Sequence, residues 1–185
     1  TGFLKEEEDE EEKIHLTKLL YDSSQSLSET IHHLNEVVNI NTKVTEKLEP
    51  VNLLNGIQNV LKTVSIGLES NNIKCDLNVC KSHNVHAVPA YMDSIILNLF
   101  TNSIKYRSPD RHSFISVSSK EVGNKIIMHF TDNGLGIDLK KHGDKLFGMY
   151  KTFHQHDDAK GIGLFITKNQ MDAMKAKIEV ESDVN

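Results

Sequence analysis

The sequence predicts an α/β domain with a mixed sheet and three helices, preceded by a long helix with a heptad pattern. Three observations support this fold class. Apolar residues recur at helical spacing in three separate segments, and short segments typical of strands lie between them. Two of the strand segments are joined by Gly123-Asn124, a pair that suits the tight turn of a β-hairpin. Ahead of the domain, a heptad pattern extends over four repeats.

The charge of the chain is concentrated near its N-terminus. The formal net charge is −5, yet residues 6–12 carry seven acidic side chains, and the remainder carries +2. A nucleic-acid binder needs a clustered basic face, so this near-neutral remainder argues against that class. No apolar run approaches the roughly 20 residues that span a bilayer, and the chain has neither a signal peptide nor an initiator Met. We therefore expect an excised fragment with no membrane contact of its own.

The cysteines and histidines favour a reducing compartment and no zinc site. Cys75 and Cys80 stand five residues apart at the ends of a predicted strand, so they point to opposite faces and are not expected to bridge. Free thiols suit the cytoplasm, which is the predicted location. The sequence leaves open whether the full-length protein is anchored to a membrane. His154 and His156 lack the spacing of a zinc site, so a solvated loop is favoured there.

The first 48 residues divide into two segments. Residues 1–12 are predicted to be disordered because like charges repel, although acidic residues also favour the start of a helix. Residues 13–48 are predicted to form one helix with an a/d seam, made of Leu20, Ser24, Leu27, Ile31, Leu34, Val38, Asn41, Thr45 and Leu48. Such a seam favours an oligomerising bundle, with a long core helix of the same domain as the alternative.

Residues 49–185 form the predicted domain, because Pro50 discourages helix in the residue before it. The expected elements are a strand at 51–53, a helix at 54–70, a strand at 74–80, a loop at 81–88 and a helix at 90–107. Strands at 114–119 and 125–131, a lid at 137–160, a helix at 161–173 and a last strand at 177–182 follow.

Periodicity and helix breakers set these boundaries. The first helix has an apolar face made of Ile57, Val60, Leu61, Val64 and Leu68. Asn71-Asn72 is expected to end it. Pro89 precedes the second helix, and Ser108-Pro109-Asp110 is expected to end that helix.

The second helix carries the first candidate site. Asn98, Asn102 and Lys105 are spaced by four and three residues, which places them on one helix face. Two amide oxygens and an ammonium group suit a metal ion bound to phosphates. Alone, this pattern would more readily indicate a polar face in water.

Two glycine-containing motifs follow the Asn-bearing helix. Asp132 precedes Gly134 and Gly136 at the end of a predicted strand, and its carboxylate can accept from a purine amine. Gly161 and Gly163 open the last helix, where backbone N–H groups can face phosphate. The alternative for Asp132 is a turn cap. A Rossmann motif is excluded because position 139 is Leu instead of Gly, and no Walker loop is present.

In this order and spacing, the three motifs resemble the N, G1 and G2 boxes of the GHKL superfamily, in its histidine-kinase branch. The resemblance covers roughly residues 20–182. It implies a Bergerat-type α/β sandwich that binds ATP and Mg²⁺. Two departures are Lys175-Ala176, where relatives often carry two glycines, and the end at Asn185, before the Gly-Thr segment and strand that usually follow.

The resemblance also implies a role for each site residue. Asp132 would be a buried carboxylate that receives the adenine amine, above a floor shaped by Gly134 and Gly136. Asn102 would hold Mg²⁺ with Asn98, and Lys105 and Tyr106 would contact phosphate and the lid. The lid hinge and the phosphate-facing helix start would be formed by Gly161, Gly163 and Leu164.

The implied reaction is transfer of the γ-phosphate to a histidine on a dimerisation helix, and then to an aspartate of a response regulator. Asn98 stands where ATP-hydrolysing relatives carry a Glu that acts as general base, which favours transfer over hydrolysis. The helix at 13–48 resembles the second helix of a homodimerising hairpin. The phosphoacceptor helix is absent, so the fragment alone is not expected to autophosphorylate. The alternatives are a non-catalytic nucleotide-binding regulatory module and a GHKL ATPase.

Overall fold

A computed structural model describes Lys13, Ile14, Thr17, residues 47–153 and residues 161–184. The chain divides into two units, Thr1–Thr42 and Lys43–Asn185, and the fold below is that of the second unit. The predictions for residues 1–12 and for most of the heptad helix lie outside the described residues. Positions 47 and 48 are not helical, so the prediction of a helix is wrong for these two residues. In the part of the chain that is described, no helix has the length and apolar character needed to cross a membrane.

Five strands, four α-helices and one 3-10 turn make up the described part of this unit. In chain order they are β1 (Glu49–Asn52), α1 (Leu53–Ser70), β2 (Lys74–Asn78), β3 (Asn84–Ala87), α2 (Pro89–Lys105), β4 (Phe114–Val122), β5 (Lys125–Asp132), α3 (Leu139–His142), a 3-10 turn (Gly143–Lys145) and α4 (Gly163–Ala173). The α/β fold class with a mixed sheet and three long helices is confirmed.

The main sheet has the strand order β2-β4-β5. Strand β2 runs parallel to β4, and β4 runs antiparallel to β5. The β4–β5 hairpin closes on the predicted turn, because Val122 pairs with Lys125 and Gly123 has φ +60°. Since parallel neighbours need a crossover connection, the segment with β3 and α2 returns the chain from the end of β2 to the start of β4.

One face of the main sheet is buried beneath α1 and α2. Phe100 of α2 is fully buried and meets Phe130 of β5 edge to face, with 5.0 Å between the ring centroids. The other buried members of this core are Leu53, Ile57, Val60, Val64, Leu68, Ile73, Ile96, Ile115 and Val117. The opposite face exposes Phe114 and Ile127. The sheet is therefore covered by helices on one side, as its alternating strands predict.

A second apolar cluster lies on the other flank of α2. It joins Ala87 and Val88 at the end of β3 to Ile95 of α2 and Met174 at the end of α4. The backbone N–H of Val88 also donates to the sulfur of Met174, at 3.3 Å. Helix α2 is consequently packed between both clusters, which fixes the position of its polar face.

Residues 81–88 were expected to form a loop, and this prediction is wrong. Asn84–Ala87 form β3, which pairs antiparallel with β1 in a separate two-stranded sheet, with Asn52 opposite Asn84. The four-residue strand has only two inward positions, Val85 and Ala87, which is too short a pattern to distinguish from a loop. Its partner strand, β1, is separated from it along the chain by the whole of α1.

The last predicted strand, at 177–182, is also wrong. Burial alternates there, because Ile178 and Val180 are half-buried while Lys177 and Glu179 are exposed. The described residues of this segment nevertheless form no ladder with β5 and are not a strand. Alternation identifies which side chains face inward, whereas a strand also requires a hydrogen-bonded neighbour.

Candidate functional site

The Asn residues of α2 form a chain of side-chain hydrogen bonds. Asn102 Nδ2 donates to Asn98 Oδ1 at 3.2 Å, and Asn98 Nδ2 donates to Thr167 Oγ1 of α4 at 2.7 Å. Within the described residues, Asn102 Oδ1 has no hydrogen bond of its own. Both Asn side chains are half-buried, and Thr167 is 1% exposed. Among the described residues, this arrangement leaves the amide oxygen of Asn102 available.

The first turn of α4 lies directly against the amide of Asn98. A Cβ at position 163 would lie 2.9 Å from Asn98 Cγ and would overlap its oxygen. Only Gly leaves this space open, so Gly163 and Asn98 are complementary. No side chain caps α4, whose N-cap is Ile162. Ile162 offers no side-chain acceptor to the first N–H groups of α4, and such groups are suited to an anion.

The carboxylate of Asp132 is oriented by two donors. Ser103 Oγ donates to Oδ2 at 2.7 Å, and the backbone N–H of Gly134 donates to Oδ1 at 2.8 Å. The expectation that Asp132 is buried is wrong, because the residue is exposed at the end of β5. Each carboxylate oxygen has two lone pairs, so both oxygens can accept another hydrogen bond from a ligand.

The loop after Asp132 is held by the C-terminal end of α2. The carbonyl of Tyr106 accepts from the N–H of Leu135 at 3.0 Å, and it lies 2.7 Å from where a Cβ of residue 134 would be. Gly134 is thus required for this close approach. Gly136 has φ +70°, and a side chain there would overlap the carbonyl of Asp183.

Tyr106 and Lys105 lie at the C-terminal end of α2. Burial raises the pKa of the Tyr106 phenol, which stays protonated at neutral pH. Lys105 Nζ lies 5.7 Å from the centroid of the Tyr106 ring, and its side chain lines an open groove with Thr63 and Thr101 between α1 and α2. A phosphate contact of Lys105 remains a prediction.

The glycine at the end of the lid has a backbone role. Gly161 has φ +65°, and its carbonyl accepts from the N–H of Lys151 at 3.2 Å. A Cβ at 161 would lie 2.5 Å from the backbone of Lys151, so this contact also requires Gly. Leu164 is half-buried in the first turn of α4. The lid residues 154–160, with their His cluster, lie outside the described residues.

The structure brings Asn98, Asn102 and Gly163 into one cluster and holds Asp132 and Gly134 against the same helix. The sequence reasoning missed Thr167, Ser103 and the carbonyl of Tyr106. Thr167 follows Gly163 by four residues, so it lies on the same helix face, and a buried polar position there could have identified it. Ser103 directly follows Asn102, but only the fold shows that it faces Asp132.

The described residues hold no group of three or more His, Cys, Asp or Glu side chains suited to a metal. Mg²⁺ in nucleotide sites takes few protein ligands and draws the rest from phosphate and water. The available oxygen of Asn102 fits that mode of binding.

The family profile described as histidine kinase-, DNA gyrase B- and HSP90-like ATPase matches residues 87–185. Sensor protein RprX of Bacteroides fragilis is 29% identical over 148 residues, which is 77% of this chain and 28% of RprX. The chain spans from 10% to 49% of the length of other curated relatives with which it aligns.

Solved structures share the fold. Acinetobacter baumannii histidine kinase AdeS superposes with a TM-score of 0.74 at 19% identity, over 91% of this chain and 78% of that chain. Full-length ShkA, solved in complex with AMPPNP, superposes with a TM-score of 0.64 at 17% identity, over 82% of this chain and 32% of that chain.

Proposed function

The chain belongs to the family of histidine kinase-, DNA gyrase B- and HSP90-like ATPases, and on that premise we propose that it is the ATP-binding catalytic region of a sensor histidine kinase. In this proposal the γ-phosphate of Mg-ATP passes to a histidine on a dimerisation helix, and from there to an aspartate of a response regulator. The full-length protein acts as a homodimer, with this region in the cytoplasm.

The observation that carries the proposal is that α2 is hydrogen-bonded to both glycine-containing motifs. Asn98 bonds to Thr167 in α4, and Ser103 bonds to Asp132 at the end of β5. The Tyr106 carbonyl bonds to the loop that follows Asp132. One rigid helix thus sets the distance between the base-binding end and the phosphate-binding end of the proposed nucleotide site. Phosphoryl transfer depends mainly on such positioning of the reactants.

Asp132 is the proposed adenine contact. Its two internal donors fix the plane of the carboxylate and leave lone pairs for the adenine amine. Guanine carries a carbonyl at that position, and two acceptors facing each other repel. The proposed contact therefore selects adenine over guanine. Its exposure also makes it accessible to a ligand that arrives from solution.

The phosphate end of the site comprises Asn102, Asn98 and the start of α4. Asn102 would contribute to Mg²⁺ its amide oxygen, which has no hydrogen bond within the described residues, beside Asn98. The N–H groups near Gly163 and Leu164, which Ile162 does not cap, would face phosphate. Mg²⁺ bound to the phosphates would neutralise their developing charge. ShkA, which shares the fold, was solved with an ATP analogue, and this supports the same use of the fold here.

Asn98 supports transfer to a protein acceptor over hydrolysis. An amide cannot take a proton from water, and both functional atoms of this amide are engaged, with Asn102 and Thr167. In transfer, the acceptor imidazole is itself the nucleophile, so no general base is needed at this position.

Calorimetric titration with ATP and ADP, with and without Mg²⁺, tests the proposal. Asp132→Asn keeps the size of the side chain and its acceptor for Gly134, but replaces one acceptor oxygen by a donor. Hydrogen bonds to charged groups contribute about 1.5–3 kcal/mol, so we expect nucleotide affinity to fall about 10- to 100-fold. Asp93→Asn makes the same chemical change at an exposed position of α2 and is expected to bind as the wild type does.

Three results would contradict the proposal. Wild-type protein that binds no adenine nucleotide would instead favour a module used for protein contacts. Equal losses in both variants would show that Asp132 has no specific role. ATP hydrolysis by the chain alone, without a histidine acceptor, would favour an ATPase.

A further inference from the structure

We propose that Thr167 is a positioning residue that orients the amide groups of Asn98 and Asn102 for Mg²⁺. The inference rests on the proposed function and assigns a further residue to the same site. Thr167 is on α4, it is not a proposed ligand, and it acts on the metal position only through the two Asn side chains. Its hydroxyl lies 2.7 Å from Asn98 Nδ2.

A primary amide has an oxygen and an NH₂ group of nearly equal size, so each Asn has two orientations related by a flip. In the observed arrangement Asn98 directs NH₂ to Thr167 and oxygen to Asn102. Asn102 then directs NH₂ to Asn98, and its own oxygen remains available to a cation. If both amides flipped, Asn102 would present NH₂ at that position, and a hydrogen-bond donor repels Mg²⁺.

In the observed arrangement the oxygen of the Thr167 hydroxyl is the acceptor for Asn98 Nδ2, because an amide NH₂ group can only donate. Removing the hydroxyl would leave this NH₂ group without its partner on α4, so Asn98, and Asn102 bonded to it, would lose their fixed orientation. Thr167 is 1% exposed, so water has little access to replace it.

The contact with α4 also holds Asn98 in place. Gly163 lies against the same amide, since a Cβ there would be 3.1 Å from Asn98 Nδ2 and would overlap the oxygen. The side chain of Asn98 is therefore confined on one side by Gly163 and bonded on the other sides by Thr167 and Asn102. Among the described residues, the Thr167 hydroxyl is the hydrogen-bond partner of Asn98 Nδ2, while Asn102 bonds to the oxygen of the same amide.

A second polar contact between the same two helices provides a matched control. Gln170 Nε2 donates to Ser94 Oγ at 3.0 Å, and Ser94 lies about one helical turn before Asn98 on α2. Gln170 is 2% exposed, and its Oε1 has no hydrogen-bond partner among the described residues. Ser94→Ala removes an α2–α4 hydrogen bond of the same kind without touching Asn98. It reports what loss of helix docking alone does to the site.

The measurement is the ATP dissociation constant without Mg²⁺ divided by the constant with Mg²⁺, obtained by calorimetry on the 185-residue chain. A larger ratio means that Mg²⁺ strengthens ATP binding more. Thr167→Val keeps the shape of the side chain and removes the hydroxyl, and Thr167→Ser restores the hydroxyl. Residues that hydrogen-bond to a metal ligand contribute about 10- to 100-fold to metal affinity. Thr167 reaches Asn102 only through Asn98, so the lower end of that range is expected. We expect Thr167→Val to lower the ratio about tenfold, with Mg-free affinity unchanged.

The control variants complete the test. We expect Thr167→Ser to restore the wild-type ratio and Ser94→Ala to leave it unchanged, although Thr167→Val and Ser94→Ala should both reduce the melting temperature. If Thr167→Val does not fold, Thr167→Ala tests the same hydroxyl without a second branched methyl group.

The inference is overturned if removing the hydroxyl leaves the Mg²⁺ ratio unchanged, or if Ser94→Ala lowers it as much. It also fails if Thr167→Ser does not restore the ratio. Wild-type protein that binds ATP equally well with and without Mg²⁺ would overturn the proposed metal site itself. No nucleotide binding at all would overturn the proposed function, so the three failures are distinguishable.

Discussion

Individual residues in the site are matched in shape and in hydrogen bonding. Gly134 makes room for the carbonyl of Tyr106, and Gly163 makes room for the amide of Asn98. The motifs predicted both glycines and both Asn residues as site residues from residue type and spacing. They could not predict that Ser103 and Thr167 complete the hydrogen bonding, because these contacts join residues 29 and 69 positions apart along the chain.

The two cysteines differ in their surroundings, and this difference predicts a difference in reactivity. Burial raises the pKa of the Cys75 thiol, with the charge of Asp76 as a smaller cause. Hydrogen bonding from Ser82 lowers the pKa of the exposed Cys80 thiol. The thiolate is the nucleophile, so Cys80 has the larger reactive fraction near neutral pH.

We therefore expect iodoacetamide to alkylate Cys80 before Cys75, and the alkylation rate at Cys80 to begin its rise at a lower pH than the rate at Cys75. Peptide mass spectrometry over a time course measures both rates in one sample. Ser82→Ala removes the side-chain hydrogen bond and keeps the backbone one, so it is expected to slow alkylation of Cys80 in part while leaving Cys75 unchanged. Preferential labelling of Cys75 in the native protein would contradict the structure at this edge.

At the scale of elements, the long helices were the most predictable. Each of α1, α2 and α4 begins and ends within about two residues of its predicted bounds, because apolar periodicity over several turns and breakers such as Pro89 and Asn71 act locally. Strand β3 was missed and a strand at 177–182 was wrongly predicted. Strands exist only by pairing, and the partner is set by the whole fold.

The N-terminus of α1 depends on one side chain. Asn52 Oδ1 accepts from the N–H of Asn55 at 3.1 Å, and its Nδ2 donates to the carbonyl of Lys81 at 2.8 Å. The residue thus caps the helix and joins it to the loop before β3. Removal of an N-cap costs about 1 kcal/mol.

We expect Asn52→Ala to lower the free energy of unfolding by about 1–2 kcal/mol, since it also leaves the Lys81 carbonyl without this donor. Asn52→Ser keeps a cap acceptor for the N–H of Asn55 and loses the amide donor to the Lys81 carbonyl and Asn84 Oδ1, so its loss should be smaller. Urea denaturation followed by circular dichroism measures both. Equal losses in the two variants would mean that the cap contributes nothing and the link to Lys81 accounts for the effect.

For the whole molecule, Phe100 is the residue on which the core most depends. It is fully buried on α2 and packs edge to face on Phe130 of the sheet. Truncation of a buried Phe costs about 3–5 kcal/mol, a large part of the roughly 5–15 kcal/mol by which domains are commonly stable.

We accordingly expect Phe100→Ala to lower the free energy of unfolding by about 3–5 kcal/mol in urea titrations. Ile66→Ala removes an apolar side chain that is 76% exposed on α1, and its effect should stay within about 0.5 kcal/mol. A loss below about 1 kcal/mol at Phe100 would show that α2 is not the centre of the packing.

The position of α2 also has an evolutionary consequence. Ile96 and Phe100 on one side of the helix belong to the core, whereas Asn98 and Asn102 on another side belong to the site. Selection for folding and selection for chemistry therefore act on different positions of the same helix. A duplicated copy that lost Asn102 would keep its core intact and persist as a scaffold, so inactive descendants of such a domain are an expected product of its architecture.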